Sequence, residues 1–173
     1  KVMKEFDHEY KSEKAVHWYT RETCVYKILN KALRTQNIDD VTVFAKLVRD
    51  VHTQLKEQHA KFTKQQTSSL LTVYRGQFIS KDELTRLRKA KGDLICMNSF
   101  LSTSSNKNKA IEFATSRKPP SDTLQSVLLE INVDIKTDSR PLADIKHLST
   151  FGEEEEILFM FGCVFRLDEI SYD

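Results

Sequence analysis

Four consecutive carboxylates, Glu153, Glu154, Glu155 and Glu156, run directly into the apolar triplet Ile157, Leu158 and Phe159. A run of charge by itself is commonly a solvated face. On a strand, however, side chains alternate, so Glu154 and Glu156 share one side with Cα atoms ~7 Å apart, and Glu153 and Glu155 face the other. Like charges that close disfavour ionisation of at least one partner, an arrangement poorly explained by stability and well suited to acid–base or electrostatic chemistry.

Two further clusters carry polar groups that could serve such a carboxylate. Phe100-Leu101-Ser102-Thr103-Ser104 ends an apolar run, and on a strand it places Ser102 and Ser104 on one face with Thr103 between them. Taken alone, a Ser/Thr-rich turn before a helix accounts for it. Tyr74-Arg75-Gly76 closes another apolar run, where Arg is ordinarily a surface residue and Gly ordinarily makes a turn.

The elements that must position these groups are legible from periodicity. Val16, Tyr19, Val25, Ile28, Leu29 and Leu33 recur at three- and four-residue steps, which predicts one helix or a closely spaced pair over 15–33. A second helix, capped by Asp39 or Asp40, carries Val43, Phe44, Leu47, Val48, Val51 and Leu55 to about Ala60. The pattern then changes to strands: 70–76 closed by Gly76, 94–101, 124–133, 153–160 and 163–170. Between them lie a short helix over 80–91, opened by the Ser80/Glu83 capping box and closed by Gly92, and another begun at Asn106 and ended by Pro119-Pro120.

Helices followed by strands with short interspersed helices indicate an α+β fold, because a doubly wound parallel sheet requires regular βαβ alternation. The expected organisation is a single domain over 1–173, with a helical lead-in over 1–62 and a β-rich core over 70–173. A length of 173 residues suits one domain.

Composition narrows the function classes. With 27 Lys and Arg against 25 Asp and Glu, the net charge is +2, which removes the main electrostatic argument for nucleic-acid binding. No apolar run reaches ~18 residues, so no membrane span is expected. Cys24, Cys96 and Cys163 are far apart, with no CxxC pair and no His at zinc spacing, so no metal is expected. That spread predicts buried thiols in a reducing compartment, with one bridge plus a free thiol as the alternative, and makes the cytoplasm the expected location. The chain begins at Lys1, which suggests a fragment of a longer protein, expected to be monomeric.

In order, Val73-Tyr74-Arg75-Gly76, Phe100-Leu101-Ser102-Thr103-Ser104 and Gly152-Glu153-Glu154-Glu155-Glu156-Ile157-Leu158 resemble the three motifs of the Arg-Ser-Glu mono-ADP-ribosyltransferases, a family that includes bacterial toxins. Upstream, 15–20 and 26–34 are similar to the helical lead-in of the eukaryotic arginine-specific branch, so the resemblance covers about 15–170. No His-Gly dipeptide is present, which argues against the His-Tyr-Glu branch.

The resemblance implies a split mixed or antiparallel β-sheet holding NAD in a central cleft. By motif position the family's catalytic Glu falls on Glu156, held by Ser102, and the preceding family Glu falls on Glu154, which goes with arginine acceptors. Arg75 would take the dinucleotide's ribose and phosphates, and Gly76 would let backbone approach the nicotinamide amide. Thr103 and Ser104 would shape the cleft. Phe113 resembles the aromatic that packs on nicotinamide, with a core position as the alternative. Arg117 resembles the basic residue near the phosphates, with a solvated end as the alternative. Phe151 holds the family's aromatic position for target contact, with a loop residue folded onto the core as the alternative.

The implied activity is transfer of ADP-ribose from NAD to an accessible arginine of a target protein. The same site would also serve an NAD glycohydrolase, and a non-catalytic NAD- or protein-binding module is the reading from another class.

Overall fold

The computed structural model describes residues 2–21, 23–115, 121–137, 140–150 and 155–171; the side chains of 2–4 and Asp7 are likewise outside the description. The chain opens with helices: α1 (Val2–Glu9), a 3₁₀ turn (Ser12–Lys14), α2 (Ala15–Thr20), α3 (Cys24–Thr35), α4 (Ile38–Val43) and α5 (Ala45–Gln65). The stripe over 15–33 thus resolves into a pair of helices. α1 falls within the expected helical lead-in over 1–62, although the sequence pattern marks no individual helix there.

The expected second helix needs two corrections. Its cap is Asn37, whose side chain accepts from the Asp40 amide at 3.3 Å, while Asp39 and Asp40 fall in the first turn, where their charge meets the positive end of the helix. It is also two helices, because the backbone leaves helical geometry at Phe44 (φ −99°, ψ 11°) as that ring packs into the core. α5 then runs past Ala60 to Gln65.

The remaining elements are β1 (Leu70–Ser80), α6 (Lys81–Lys89), β2 (Leu94–Met97), β3 (Leu101–Ser104), α7 (Lys107–Thr115), β4 (Leu124–Asp134), β5 (Leu142–Asp144), β6 (Glu156–Phe159) and β7 (Cys163–Arg166). Ser80 caps α6 by accepting from Glu83 N at 3.0 Å, and Gly92 adopts φ 91°, as the sequence suggests. Asn106 Oδ1 accepts from Asn108 N at 3.0 Å and so opens α7. The Pro119-Pro120 stop lies outside the described residues.

One sheet has strand order β4-β1-β3-β6-β5 and a second pairs β2 with β7, every pairing antiparallel. The run 94–101 is therefore two strands in two sheets. Gly162 N donates to Met97 O at 2.7 Å at the end of β2, and Phe100 then turns into the helical core before β3 begins. The short β5 was not anticipated, since three residues carry no periodicity. β7 ends at Arg166 rather than Ile170.

Gly76 does not close β1. It sits opposite Leu128 in the middle of an eleven-residue strand. A Cβ there would overlap the Ala110 carbonyl oxygen and lie 2.8 Å from Ala114 N, so glycine is what lets α7 lie directly on β1.

Apolar clusters flank the larger sheet. One joins Tyr19, Leu29, Leu47, Val51 and Leu55 from the helices to Phe100, Ala143 and Leu158. The other gathers Val73, Leu101, Ile131, Leu142, Ile157, Phe159 and Cys163, with Met97 and Phe165 of the smaller sheet against it. β6 alternates between the two, so all four of its residues are buried. Glu156, first in that strand, inherits the burial and is 8% exposed.

Candidate active site

Arg75, Ser102 and Glu156, one from each sequence motif, lie on β1, β3 and β6, which are consecutive in the sheet. Register then decides what meets. Ser104 stands opposite Glu156, and Ser102 opposite Leu158, so Ser102, Ser104 and Glu156 share one face by strand alternation.

Ser102 Oγ donates to Glu156 Oε1 at 2.6 Å. That is the short distance of a hydroxyl on a carboxylate. A second hydroxyl, Ser149 Oγ, reaches Glu156 Oε2 at 3.3 Å from the turn before β6.

β1 and β3 are joined by one residue pair, Tyr74 opposite Ser104, and beyond it the sheet splits. Arg75 bridges the split: its Nη1 donates to the Ser102 carbonyl at 2.8 Å and its Nε to Gln77 Oε1 at 2.9 Å. A guanidinium thus takes a carbonyl that a ladder would otherwise use, and the same residue that holds Glu156 is fixed at its backbone by Arg75.

The other hydroxyls of the Ser-Thr-Ser run serve the scaffold. Thr103 is buried and donates to the Ile157 carbonyl at 2.7 Å, and by strand alternation it stands on the opposite face from Ser102. Ser104 Oγ accepts from Asn106 N at 3.0 Å and shapes the turn into α7. Gly76 answers to α7, as described above.

Phe113 is 62% exposed on α7, whose buried residues are Ala110 and Ala114, so the core alternative for Phe113 is removed. Glu153, Glu154, Phe151 and Arg117 lie outside the described residues. Glu155 is exposed, and Ser105 Oγ donates to its Oε2 at 3.4 Å.

Behind the site stands Tyr19 of α2, a residue read from the sequence only as part of an apolar stripe. Its phenol receives a hydrogen bond from Asn30 Nδ2 at 3.1 Å, and its ring lies 4.6 Å from that of Phe100. Burial pushes the Tyr19 phenol well above its ordinary range, reinforced by neighbouring Tyr26 and by the Glu156 charge, and opposed by Asn30 and Arg75. Tyr19 is therefore neutral and close enough to feel both site charges. Ser149 was also missed, because a lone Ser in Leu148-Ser149-Thr150 carries no spacing signal.

Among the described residues no cluster of His, Cys, Asp and Glu could hold a metal ion, and no helix is long and apolar enough to cross a membrane. All three cysteines are free; Cys163 is buried, whereas Cys24 and Cys96 are exposed, contrary to the expectation of buried thiols.

The fold and the sequence have known relatives. The structure is similar to ADP-ribosyltransferase Vis, a toxin from Vibrio splendidus, in its complex with agmatine (TM-score 0.63, 24% identity, 94% of this chain and 68% of that one). It is also similar to HopU1 of Pseudomonas syringae pv. tomato DC3000 (TM-score 0.66, 20% identity, 95% and 72%). A third similar structure is Exoenzyme S from Pseudomonas aeruginosa bound to carba-NAD (TM-score 0.57, 16% identity, 88% and 62%). No curated protein matches the sequence. These likenesses give the ADP-ribosyltransferase fold. The family model described as ADP-ribosyltransferase exoenzyme matches residues 4–173, and the chain belongs to that family, whose chemistry is the transfer of ADP-ribose from NAD.

Proposed function

We propose that the chain transfers ADP-ribose from NAD to the guanidinium of an arginine side chain on a target protein, releasing nicotinamide. The observation that carries this reading is the buried Glu156 carboxylate held at 2.6 Å by Ser102, beside the Arg75 guanidinium.

Breaking the nicotinamide–ribose C–N bond sends the electron pair to the nicotinamide ring and leaves positive charge on the sugar. A carboxylate on the ribose 2′-hydroxyl then stabilises the transition state more than the ground state. Glu156 takes this part, and the fixed Ser102 hydroxyl keeps its oxygens from reorganising during the step. Arg75 commits two of its donors to Ser102 and Gln77 and offers its others to ribose or phosphate oxygens. The exposed Phe113 ring offers a stacking surface. Arg117 is assigned to the phosphates and Phe151 to the target, both by motif position.

The acceptor is assigned from Glu154. A guanidinium attacks the sugar carbon through nitrogen only as it gives up a proton, and with a pKa above ~12 it needs a carboxylate to orient it and receive that proton. Glu154, two residues before Glu156, takes this part. Agmatine, present in the Vis complex, is such a guanidino compound and supports the reading.

Labelled NAD with agmatine, supplied to the natural sequence and to Glu156→Ala and Glu154→Gln variants, tests it. We expect Glu156→Ala to lose transfer and hydrolysis together, by about 1,000-fold or more. Glu154→Gln should lose transfer and retain hydrolysis. Hydrolysis with no labelled agmatine from any of the three would make the chain an NAD glycohydrolase, and equal activity in all three would remove the assignment of both carboxylates.

A further inference from the structure

A carboxylate bonded through one oxygen still turns about its terminal bond, where the torsional wells are broad. Glu156 is bonded through both. Ser102 of β3 holds Oε1, and Ser149, in the turn that follows β5, reaches Oε2. Two points fix the carboxylate plane where one does not.

The turn that carries Ser149 is itself held. Leu148 N and Ser149 N both donate to the Ile145 carbonyl at 2.8 Å, and Ile145 N donates to the Glu156 carbonyl at 3.0 Å. The next residue, Thr150, is fastened to the end of α2: its amide donates to Thr20 Oγ1 at 3.0 Å, and its own hydroxyl donates to the His17 carbonyl at 3.1 Å. Thr20 is buried, so this anchorage sits against the helical core rather than in solvent.

We propose that Ser149 is a second positioning residue for Glu156, and that the Thr20–Thr150 fastening sets where Ser149 stands. This rests on the reading of Glu156 as the carboxylate that acts on the ribose. Ser149 limits rotation of the carboxylate, so that the oxygen not held by Ser102 is presented to the 2′-hydroxyl in one orientation. α2 contributes to turnover through this contact without touching the substrate. Charged or titratable groups near this arrangement include Tyr19 from α2, which feels the charges of both Glu156 and Arg75, Glu155 next in the chain, and His17 beside Thr150.

The test uses the whole chain and the variants Ser149→Ala, Ser149→Thr, Thr20→Val and Glu156→Gln. One readout needs no activity: the side-chain carboxyl of Glu156 is followed by carbon NMR through a pH titration, its signal assigned by its loss in Glu156→Gln. A hydrogen bond to the ionised form favours that form. Ser149→Ala should therefore raise the Glu156 midpoint by about half a unit, and Ser149→Thr should restore it.

The second readout is NAD cleavage. Ser149→Ala should lower kcat about tenfold with KM changed less than about twofold, Ser149→Thr should recover most of the loss, and Thr20→Val should move kcat in the same direction by a smaller factor. An unchanged midpoint and unchanged kcat in Ser149→Ala, with Glu156→Gln inactive, would overturn the positioning role alone. Full activity in Glu156→Gln would overturn the reading of Glu156 itself, and this proposal with it.

Discussion

At the scale of single residues, the structure separates groups that act through their chemistry from those that act through their shape. Arg75 is of the first kind, because its two bonds to Ser102 and Gln77 use the planar fork of a guanidinium. Lysine has a point charge and no such fork, so Arg75→Lys should raise the KM for NAD about tenfold or more while the protein stays folded, as read by initial rates beside circular dichroism. Gly76 is of the second kind. Adding one methyl in Gly76→Ala pushes α7 off β1, and we expect a loss of about 2 to 4 kcal/mol in urea unfolding, large for so small a change because the obstruction is backbone. The motif around both residues was readable in the sequence. That the glycine answers to a helix thirty-odd residues downstream was not, since one-dimensional spacing carries no information about which element will lie across a strand.

At the scale of elements, α2 ties the helical half to the sheet through Tyr19 as well as Thr20. Tyr19 and Tyr10 both have phenols pushed up, in each case by burial first; Tyr10 is further shifted by its hydrogen bond to Asp50, and Tyr19 by Tyr26. The folded state therefore keeps these protons when the unfolded chain, titrating near ~10, has released them. Stability from this source is intact below pH ~10 and declines above it, by at most about 1.4 kcal/mol per pH unit for each phenol. Urea midpoints should show no loss from this source between pH 8 and about 10 and should fall along this slope above it, and Tyr19→Phe should flatten the fall. Element identity was largely legible where periodicity was long, as over 15–33 and 124–133. It failed at 94–101, because an apolar run does not reveal that its two ends belong to different sheets, and at β5, because three residues hold no period.

At the scale of the whole molecule, the order of helices then strands and the three motifs were legible in the residue pattern. The contiguity of β1, β3 and β6 that brings those motifs together is a property of the sheet order alone. Thiol chemistry reports on the same architecture. Cys24 and Cys96 are exposed, while burial pushes the Cys163 thiol up to about 11, so a thiol reagent at pH 8 should modify two groups quickly and the third only on denaturation. Where α5 gives way to β1, residues 67 and 68 are exposed and join the two halves by a short polar link. Thr20 lies on one side of that link and Thr150 on the other. A break engineered there would give two inactive pieces, each holding one partner of the fastening. Such pieces, brought together on fused dimerising tags, would form a switchable split enzyme whose output reports their reassembly.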